Sequence, residues 1–263
     1  MKGITTMKIR ARGFAVIIGF VALGLALPAF GQNTVTLTGV NGSYSAGELC
    51  STSECGQAYT GNYYATVNNT TTAVICDDFN HNVSINESWN ATAINTSSLN
   101  ASNITQTEFG SGTTNGQIAP VVYAEVASLV SEIFTLNNGT WTFDGLTNVT
   151  GTDLSEAIWD ITTKGGITGI SANAAALVSY VKSLFGGDTS GQALAYLNSL
   201  NLWILTPSPN NGPQEMWALG TTPNVVSAPE GGPAFLYLLL AGFTCFGAMF
   251  FRSRNRLRNR ETA

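Results

Sequence analysis

The chain has 263 residues and a formal net charge of −5, which comes from 11 basic and 16 acidic side chains. The basic residues are concentrated at the two ends: only Lys164 and Lys182 fall within residues 32–228, which carry 14 carboxylates. Nucleic-acid binding requires clusters of lysine and arginine on one surface, so this composition argues against a nucleic-acid partner.

The first 31 residues have the order of a secretion signal. Four basic residues precede an apolar stretch at 14–27, and the small residues Ala29 and Gly31 follow it. This is the three-part pattern of an exported protein. A retained membrane helix is the less favoured alternative, since a span usually needs roughly 20 apolar residues. We predict cleavage after Gly31 and a mature chain that begins at Gln32.

The predicted body, residues 32–220, is long enough for one domain with its own core. Its first half shows the alternation of apolar and polar residues that half-buried strands have. The alternation is found in four segments: 35–37, 63–67, 83–85 and 141–143. One helix is predicted within this half, where Pro120 suits the first turn and apolar residues recur at helical spacing up to Ile133.

After Thr150 the apolar period becomes helical. Three amphipathic stretches follow, with buried faces that begin at Leu154, Leu177 and Ala193. Their predicted apolar positions are Leu154, Ala157, Ile158, Ile161, Leu177, Tyr180, Val181, Leu184, Phe185, Ala193, Tyr196, Leu197 and Leu200. Strand-like segments at 202–205 and 214–219 end the body. The sequence therefore predicts an α+β fold, with a strand-rich, sandwich-like body and a helical subdomain.

Cys50 and Cys55 are separated by four residues in a loop rich in glycine and serine. In an oxidising exported compartment such a pair predicts a local disulfide. Metal binding is the less favoured alternative, because no further ligands cluster nearby. Cys245 falls within the apolar tail described below, so Cys76 is left as an odd thiol.

Cys76 ends an apolar strand in the segment Ala-Val-Ile-Cys-Asp-Asp-Phe, and the sequence Ala-Ile-Trp follows a helix start at 157–159. This pairing resembles the thioester domains of bacterial surface adhesins, in which a strand cysteine is bonded to a glutamine just before an Ala-Ile-Trp helix. At the position where the resemblance requires glutamine, this chain has Ser155. A serine hydroxyl cannot supply the acyl group, so the resemblance implies a related fold without the reactive bond.

Other candidate sites are weaker. His81 is the only histidine, and a single imidazole after Asp77 and Asp78 is more typical of a solvated turn than of a metal site. Without a second histidine, we assign neither a catalytic triad nor a zinc-hydrolase arrangement with the usual histidine ligands. Glu156 is a conceivable general acid, but the spacing from Asp153 to Glu156 fits a helix capping box. We therefore expect no metal, no cofactor and no catalytic residue.

The carboxy-terminal end has the features of a membrane anchor. Residues 234–251 carry no charge, and five arginines follow within the basic tail 252–263. An apolar run of this length is adequate to span a bilayer, and the arginines predict a cytoplasmic tail with the body on the far side. The preceding linker, residues 221–233, contains Pro229 and Glu230 in a flexible, glycine-rich setting.

The order of Pro-Glu, small residues, apolar helix and arginine cluster resembles the PEP-CTERM sorting signal. The resemblance implies that an exosortase, a membrane-embedded processing enzyme, recognises Pro229 and Glu230. The chain departs from the common pattern at Gly231, where the second proline usually stands. A plain single-span anchor is the alternative.

The resulting hypothesis is an exported, surface-anchored or matrix-associated bacterial protein without catalytic activity. An adhesive or biofilm-related role is expected, with surface polysaccharide or other matrix components as partners besides the exosortase-type enzyme and the membrane. The alternative is an exported carbohydrate-active hydrolase that uses two carboxylates, although the sequence selects no pair of acids.

Overall fold

Strands and helices alternate in blocks along the computed structural model, which describes residues 32–220 except 46, 137–139, 144 and 210–211. The strands of this part are β1 (Asn33–Val40), β2 (Leu49–Cys50), β3 (Cys55–Gly56), β4 (Tyr63–Val67), β5 (Thr70–Cys76), β6 (Ser88–Asn95), β7 (Thr113–Thr114), β8 (Gln117–Ile118), β9 (Trp141–Phe143), β10 (Leu146–Val149), β11 (Leu202–Pro207) and β12 (Met216–Leu219). The α-helices are α1 (Ala119–Leu136), α2 (Gly151–Thr162), α3 (Ala172–Phe185) and α4 (Ser190–Ser199).

Six of the strands close into a barrel in the order β1-β4-β5-β12-β11-β6, with antiparallel neighbours throughout. The predicted alternation is confirmed in β1 and β4, where Val35, Leu37, Ala65 and Val67 are buried and their neighbours face outward. The α+β class is also confirmed. The expected sandwich is wrong, because β1 pairs with both β4 and β6 and thus closes one sheet on itself.

A two-residue turn joins β4 to β5. Asn68 and Asn69 have φ angles of 48° and 67°, and the pair Val67–Thr70 closes the hairpin. Positive φ at both central residues is the type I′ geometry that matches the twist of the flanking strands. Asparagine tolerates this conformation better than most residues, which gives these two side chains a structural reason to be there.

The strand predicted at 83–85 is wrong. These residues form a loop in which Ile85 is 52% exposed, and Asn86 adopts a positive φ of 71°. The backbone N–H of Ser84 donates to the Glu87 carboxylate at 2.8 Å, so a local turn replaces a strand ladder. The barrel strand begins three residues later, at Ser88.

The helices predicted from the apolar period are confirmed, with one misplaced residue: Leu184 is 49% exposed on α3. Helix α1 packs against the other three helices. It is the one helix of the described residues long and apolar enough to cross a membrane, but 67% of it is buried within the body. Helix α1 is therefore the central helix of the core.

Helices α1 and α2 meet the barrel at β5 and β12. The ring of Tyr123 on α1 lies 5.8 Å from the ring of Trp217 on β12. The hydroxyl of Thr162 on α2 donates to the backbone carbonyl of Asp77, at 2.6 Å, just after β5. This junction brings together the polar residues described next.

Candidate functional site

Two short acidic segments meet at one end of the barrel. Asp77 and Asp78 follow β5, and Gln214 and Glu215 precede β12. The ladder between these strands pairs Cys76 with Met216, so the acidic segments are held side by side although about 140 positions separate them in the chain. Antiparallel pairing therefore creates a carboxyl cluster that no local sequence pattern reveals.

Asp77 and Glu215 form the inner part of this cluster, and both are 0% exposed. The Trp217 indole donates to Asp77 Oδ2 at 2.6 Å, and the Tyr123 hydroxyl donates to Glu215 Oε1 at 2.6 Å. Glu215 Oε2 accepts from the Thr206 hydroxyl and, at 2.9 Å, from the backbone N–H of Glu108. Glu215 thus has the donors that an ionised carboxylate needs.

The protonation of the inner pair follows from this asymmetry. Burial and the Glu215 charge raise the pKa of Asp77 well above its ordinary value. Burial also raises the pKa of Glu215, while hydrogen bonds from Thr206, Tyr123 and the Glu108 N–H oppose the shift. The interaction between the two carboxyls raises the pKa of Asp77 and lowers that of Glu215, so the proton is favoured on Asp77, whose Oδ1 atom is buried without a hydrogen-bond partner among the described residues. The pair is therefore a buried protonated acid next to a buried carboxylate.

Asp78, His81 and Glu108 form the outer part of the cluster. Asp78 is 3% exposed, whereas the His81 side chain is 37% exposed and Glu108 is half-buried. His81 Nδ1 lies 2.5 Å from Asp78 Oδ2, and one ligand atom from each of the three residues lies within 4.8 Å of the others. The sequence expectation of a solvated turn at His81 missed Glu108, which comes from a separate loop.

The outer residues influence one another electrostatically. Burial, together with the charges of Asp78 and Glu215, raises the pKa of Glu108 to about 7. Burial lowers the pKa of His81, but the adjacent Asp78 carboxylate outweighs it, so the pKa is raised overall. The outer cluster, which has two carboxyl groups and one imidazole, is therefore partly exposed at the protein surface.

The two residues singled out by the thioester resemblance are both buried and are bonded to different partners. Cys76 is a free thiol that is 1% exposed, and its Sγ atom lies 3.2 Å from the Asp78 carbonyl oxygen. Ser155, on α2, accepts a 2.8 Å hydrogen bond from the backbone N–H of Gly61. The Ser155 hydroxyl thus fixes the loop before β4.

The predicted disulfide between Cys50 and Cys55 is confirmed. The two cysteines face each other across β2 and β3, and so the bond closes a small hairpin. The backbone of Cys50 also forms two hydrogen bonds with Thr168, of 3.0 and 2.8 Å. The disulfide hairpin is thereby attached to the loop between α2 and α3.

A groove of about 510 Å³ borders the disulfide hairpin. Tyr44 and Tyr59 stack on each other at its rim, with ring centroids 3.9 Å apart and exposures of 54% and 36%. Gln57, Asn82 and Gln214 contribute amide groups to the lining, which also contains Phe79 and Trp159. Trp217, in contrast, is a core residue with 0% exposure.

The capping roles expected for Asp153 and Glu156 are partly wrong. The capping box of α2 consists of Thr150 and Asp153, which exchange side-chain and backbone hydrogen bonds. Glu156 instead accepts from the backbone N–H of Ser171 at 2.8 Å, at the start of α3. Both carboxylates therefore serve helix termini, but of two different helices.

The predicted signal peptide, Pro229, Glu230 and the apolar tail lie outside the described residues. No family model, no curated protein and no solved structure matches the chain.

Proposed function

We propose that this chain is an exported, surface-anchored or matrix-associated bacterial protein with an adhesive or biofilm-related role and no catalytic activity. The observation that carries the proposal is the order of Pro229 and Glu230, an uncharged stretch at 234–251, and five arginines. An exosortase-type enzyme would process this tail after the body has crossed the membrane. The signal-like start at 1–31 fits the same route.

Two features of the body support this proposal. The disulfide between Cys50 and Cys55 suits an oxidising compartment outside the cytoplasm. The innermost carboxyls, Asp77 and Glu215, are fully buried and bonded to core side chains, so their contacts are with the barrel end rather than with a substrate. Neither carboxyl group is therefore accessible to a bound polymer.

The groove beside the disulfide hairpin is the candidate binding surface for the proposed role. The exposed rings of Tyr44 and Tyr59 offer apolar faces, and the amides of Gln57 and Asn82 offer hydrogen-bonding groups. Binding sites for small polar molecules combine such faces with a few polar groups. Surface polysaccharide or another matrix component is the partner class we propose for this groove.

The sorting step is tested by Glu230→Ala in the native host, followed by fractionation and intact mass. The wild-type chain is expected to be shortened and to reach the surface, and the variant to stay longer and membrane-retained. Glu261→Ala is the matched control, because it removes the other carboxylate of the tail on the opposite side of the span. Identical mass and location for wild type and Glu230→Ala would leave only an ordinary anchor.

The hydrolase alternative has one observation in its favour. Carboxylate oxygens of Asp78 and Glu108 lie within 4.8 Å of each other at a partly exposed position. Retaining glycosidases hold their two carboxyls about 5 Å apart. A panel of aryl glycosides tests this alternative: turnover that disappears in Glu108→Gln would favour the hydrolase over the non-catalytic role.

A further inference from the structure

The outer carboxyl cluster contains a set of donor atoms that suits a metal ion, which goes beyond the proposed surface role. Asp78, His81 and Glu108 place two carboxylate oxygens and an imidazole nitrogen within 4.8 Å of one another. Imidazole with carboxylate is a ligand set that zinc accepts, with bond lengths of about 2.0 to 2.2 Å. The imidazole distinguishes this cluster from a purely acidic surface patch.

Contacts outside the donor set hold the Asp78 carboxylate and the two loops that carry Asp78 and Glu108. The backbone N–H of Asn80 donates to Asp78 Oδ1 at 3.0 Å, and the Gln214 amide donates to the Asp78 carbonyl at 2.9 Å. On the other loop, the Glu108 backbone N–H is bonded to the buried Glu215 carboxylate. A bond to a ligating carboxylate, here the one from Asn80, orients the ligand and raises its affinity for a metal ion.

Neither of the two lysines among the described residues balances the charge of the cluster. The only lysines among the described residues are Lys164 and Lys182, no arginine occurs among them, and no ion pair in this part of the chain links either lysine to Asp78 or Glu108. Among the residues that the structure describes, His81 is the only basic side chain that forms an ion pair with these carboxylates. A divalent cation would neutralise the repulsion between Asp78 and Glu108 that otherwise opposes their approach.

From this geometry we propose that Asp78, His81 and Glu108 bind one divalent transition-metal ion, zinc in first place, and thereby link the loop after β5 to the loop before β7. Because the His81 side chain is 37% exposed, water can complete the coordination. Mn²⁺ is the second choice, since carboxylate-rich sites with imidazole accept it.

The proposal is tested by calorimetric titration of Zn²⁺ into the full-length chain in detergent, prepared without a polyhistidine tag. We expect one ion per chain and a higher Tm in the presence of the ion, because the ion binds only the folded state. His81 is the sole histidine, so its modification by diethyl pyrocarbonate is a second readout. Zn²⁺ is expected to protect His81 from the reagent.

Two variants and a control locate the site. His81→Ala and Glu108→Gln are each expected to weaken Zn²⁺ binding by about tenfold or more, with unchanged circular dichroism. Glu48→Gln is the charge-matched control, since Glu48 is exposed and lies outside the cluster, and it should bind as wild type does. The proposal is overturned by the absence of binding and Tm shift with both Zn²⁺ and Mn²⁺, or by binding that both variants retain.

Calcium provides a discriminating comparison. Ca²⁺ prefers six to eight oxygen ligands and gains little from an imidazole. Binding of Ca²⁺ alone, unaffected by His81→Ala, would therefore contradict the proposed donor set. None of these readouts depends on export or on tail processing, so failure of the metal site and failure of the proposed function are distinguishable.

Discussion

The indole Nε1 of Trp217 donates a 2.6 Å hydrogen bond to Oδ2 of Asp77, a residue 140 positions earlier in the chain. This contact crosses the β5–β12 ladder and fixes one carboxyl oxygen of Asp77, whose pKa is raised by burial and by Glu215. One strand-end acid is thereby held protonated against an ionised neighbour inside the core. Substitution by the isosteric amide distinguishes the two roles. An amide can replace a protonated Asp77, but it cannot accept all the hydrogen bonds of an ionised Glu215.

Asp77→Asn is expected to keep the fold and to raise the free energy of unfolding at neutral pH by about 1 kcal/mol. The amide oxygen still accepts from Trp217, and the neutral amide N–H₂ replaces Asp77 Oδ1, which is buried without a hydrogen-bond partner among the described residues and is influenced by the Glu215 charge. The substitution also removes a buried group that ionises at a cost. Urea unfolding at pH 7 measures the change.

Glu215→Gln is the matched substitution, and its expected effect on stability is the opposite. Three donors, from Thr206, Tyr123 and the Glu108 backbone, point at the two oxygens of Glu215, so an amide N–H₂ must face at least one of them. We expect a loss of about 1 to 3 kcal/mol for the resulting unpaired donors. Equal effects of the two amide substitutions would contradict the assignment of the proton to Asp77.

Glu125 on α1 gives a pH prediction. Its Oε1 atom accepts from the Gln117 amide at 2.5 Å, while Glu125 Oε2 and Gln117 Oε1 are buried without a hydrogen-bond partner among the described residues. Burial raises the pKa of Glu125 from its ordinary value of 4.5. The folded state therefore binds the proton more tightly than the unfolded state, and a proton on Glu125 would give the donor that this buried pair lacks.

The sign of the effect follows from linkage. The contribution of Glu125 to stability is complete below pH 4.5 and is lost as the pH rises through the elevated pKa of the folded state. Glu125→Gln should remove this loss and add about 1 kcal/mol at neutral pH. Thermal unfolding of both proteins between about pH 4 and about pH 8, in steps of roughly one unit, measures the change in stability. A variant less stable than wild type at every pH would refute the prediction.

The disulfide hairpin is expected to stabilise the body by restricting the unfolded chain. Cys50→Ser together with Cys55→Ser should lower the free energy of unfolding by about 2 kcal/mol, the entropy-model value for such a short loop. A reductant should lower the stability of the wild type by a similar amount and leave the double variant unchanged. Stability of the wild type that does not respond to reductant would contradict the prediction.

Substitutions in the turn between β4 and β5 test why asparagine occupies that turn. Asn69 is exposed and has a φ of 67°, so its conformation rather than its contacts should set the effect of substitution. Asn69→Gly should be neutral or stabilising by a few tenths of a kcal/mol, and Asn69→Val should destabilise by about 1 to 2 kcal/mol. Similar stability of the two variants would show that the turn relaxes to another geometry.

The sequence predicts the elements of this fold better than their assembly. The period of apolar residues identifies α1 and β4 because that signal is local. Closure of the barrel depends on β1 pairing with strands on both sides, and alternation along β1 is the same in a sandwich and in a barrel. Ladder partners, rather than strand patterns, therefore separate the two architectures.

The candidate site shows the same limit. Glu108 and Glu215 join the cluster of Asp77 and Asp78 through long-range pairing, so spacing along the chain carries no trace of it. A weaker signal was present: Glu215 directly precedes a fully apolar strand, where an isolated acid is unusual. The disulfide was predictable because its two cysteines are close in sequence.

Cys76 is expected to be an unreactive thiol. It is 1% exposed, and burial together with the charge of Asp78 raises its pKa well above the ordinary value, so the thiolate is scarce at neutral pH. If only global unfolding exposes the thiol, a thiol reagent should label the native chain at least roughly a thousandfold more slowly than the unfolded chain. The measurement requires a Cys245→Ala background, because Cys245 is the other cysteine outside the disulfide. Intact mass should show no loss of ammonia; such a loss, with Cys76 crosslinked to an amide such as Gln214, would instead make covalent adhesion the leading function.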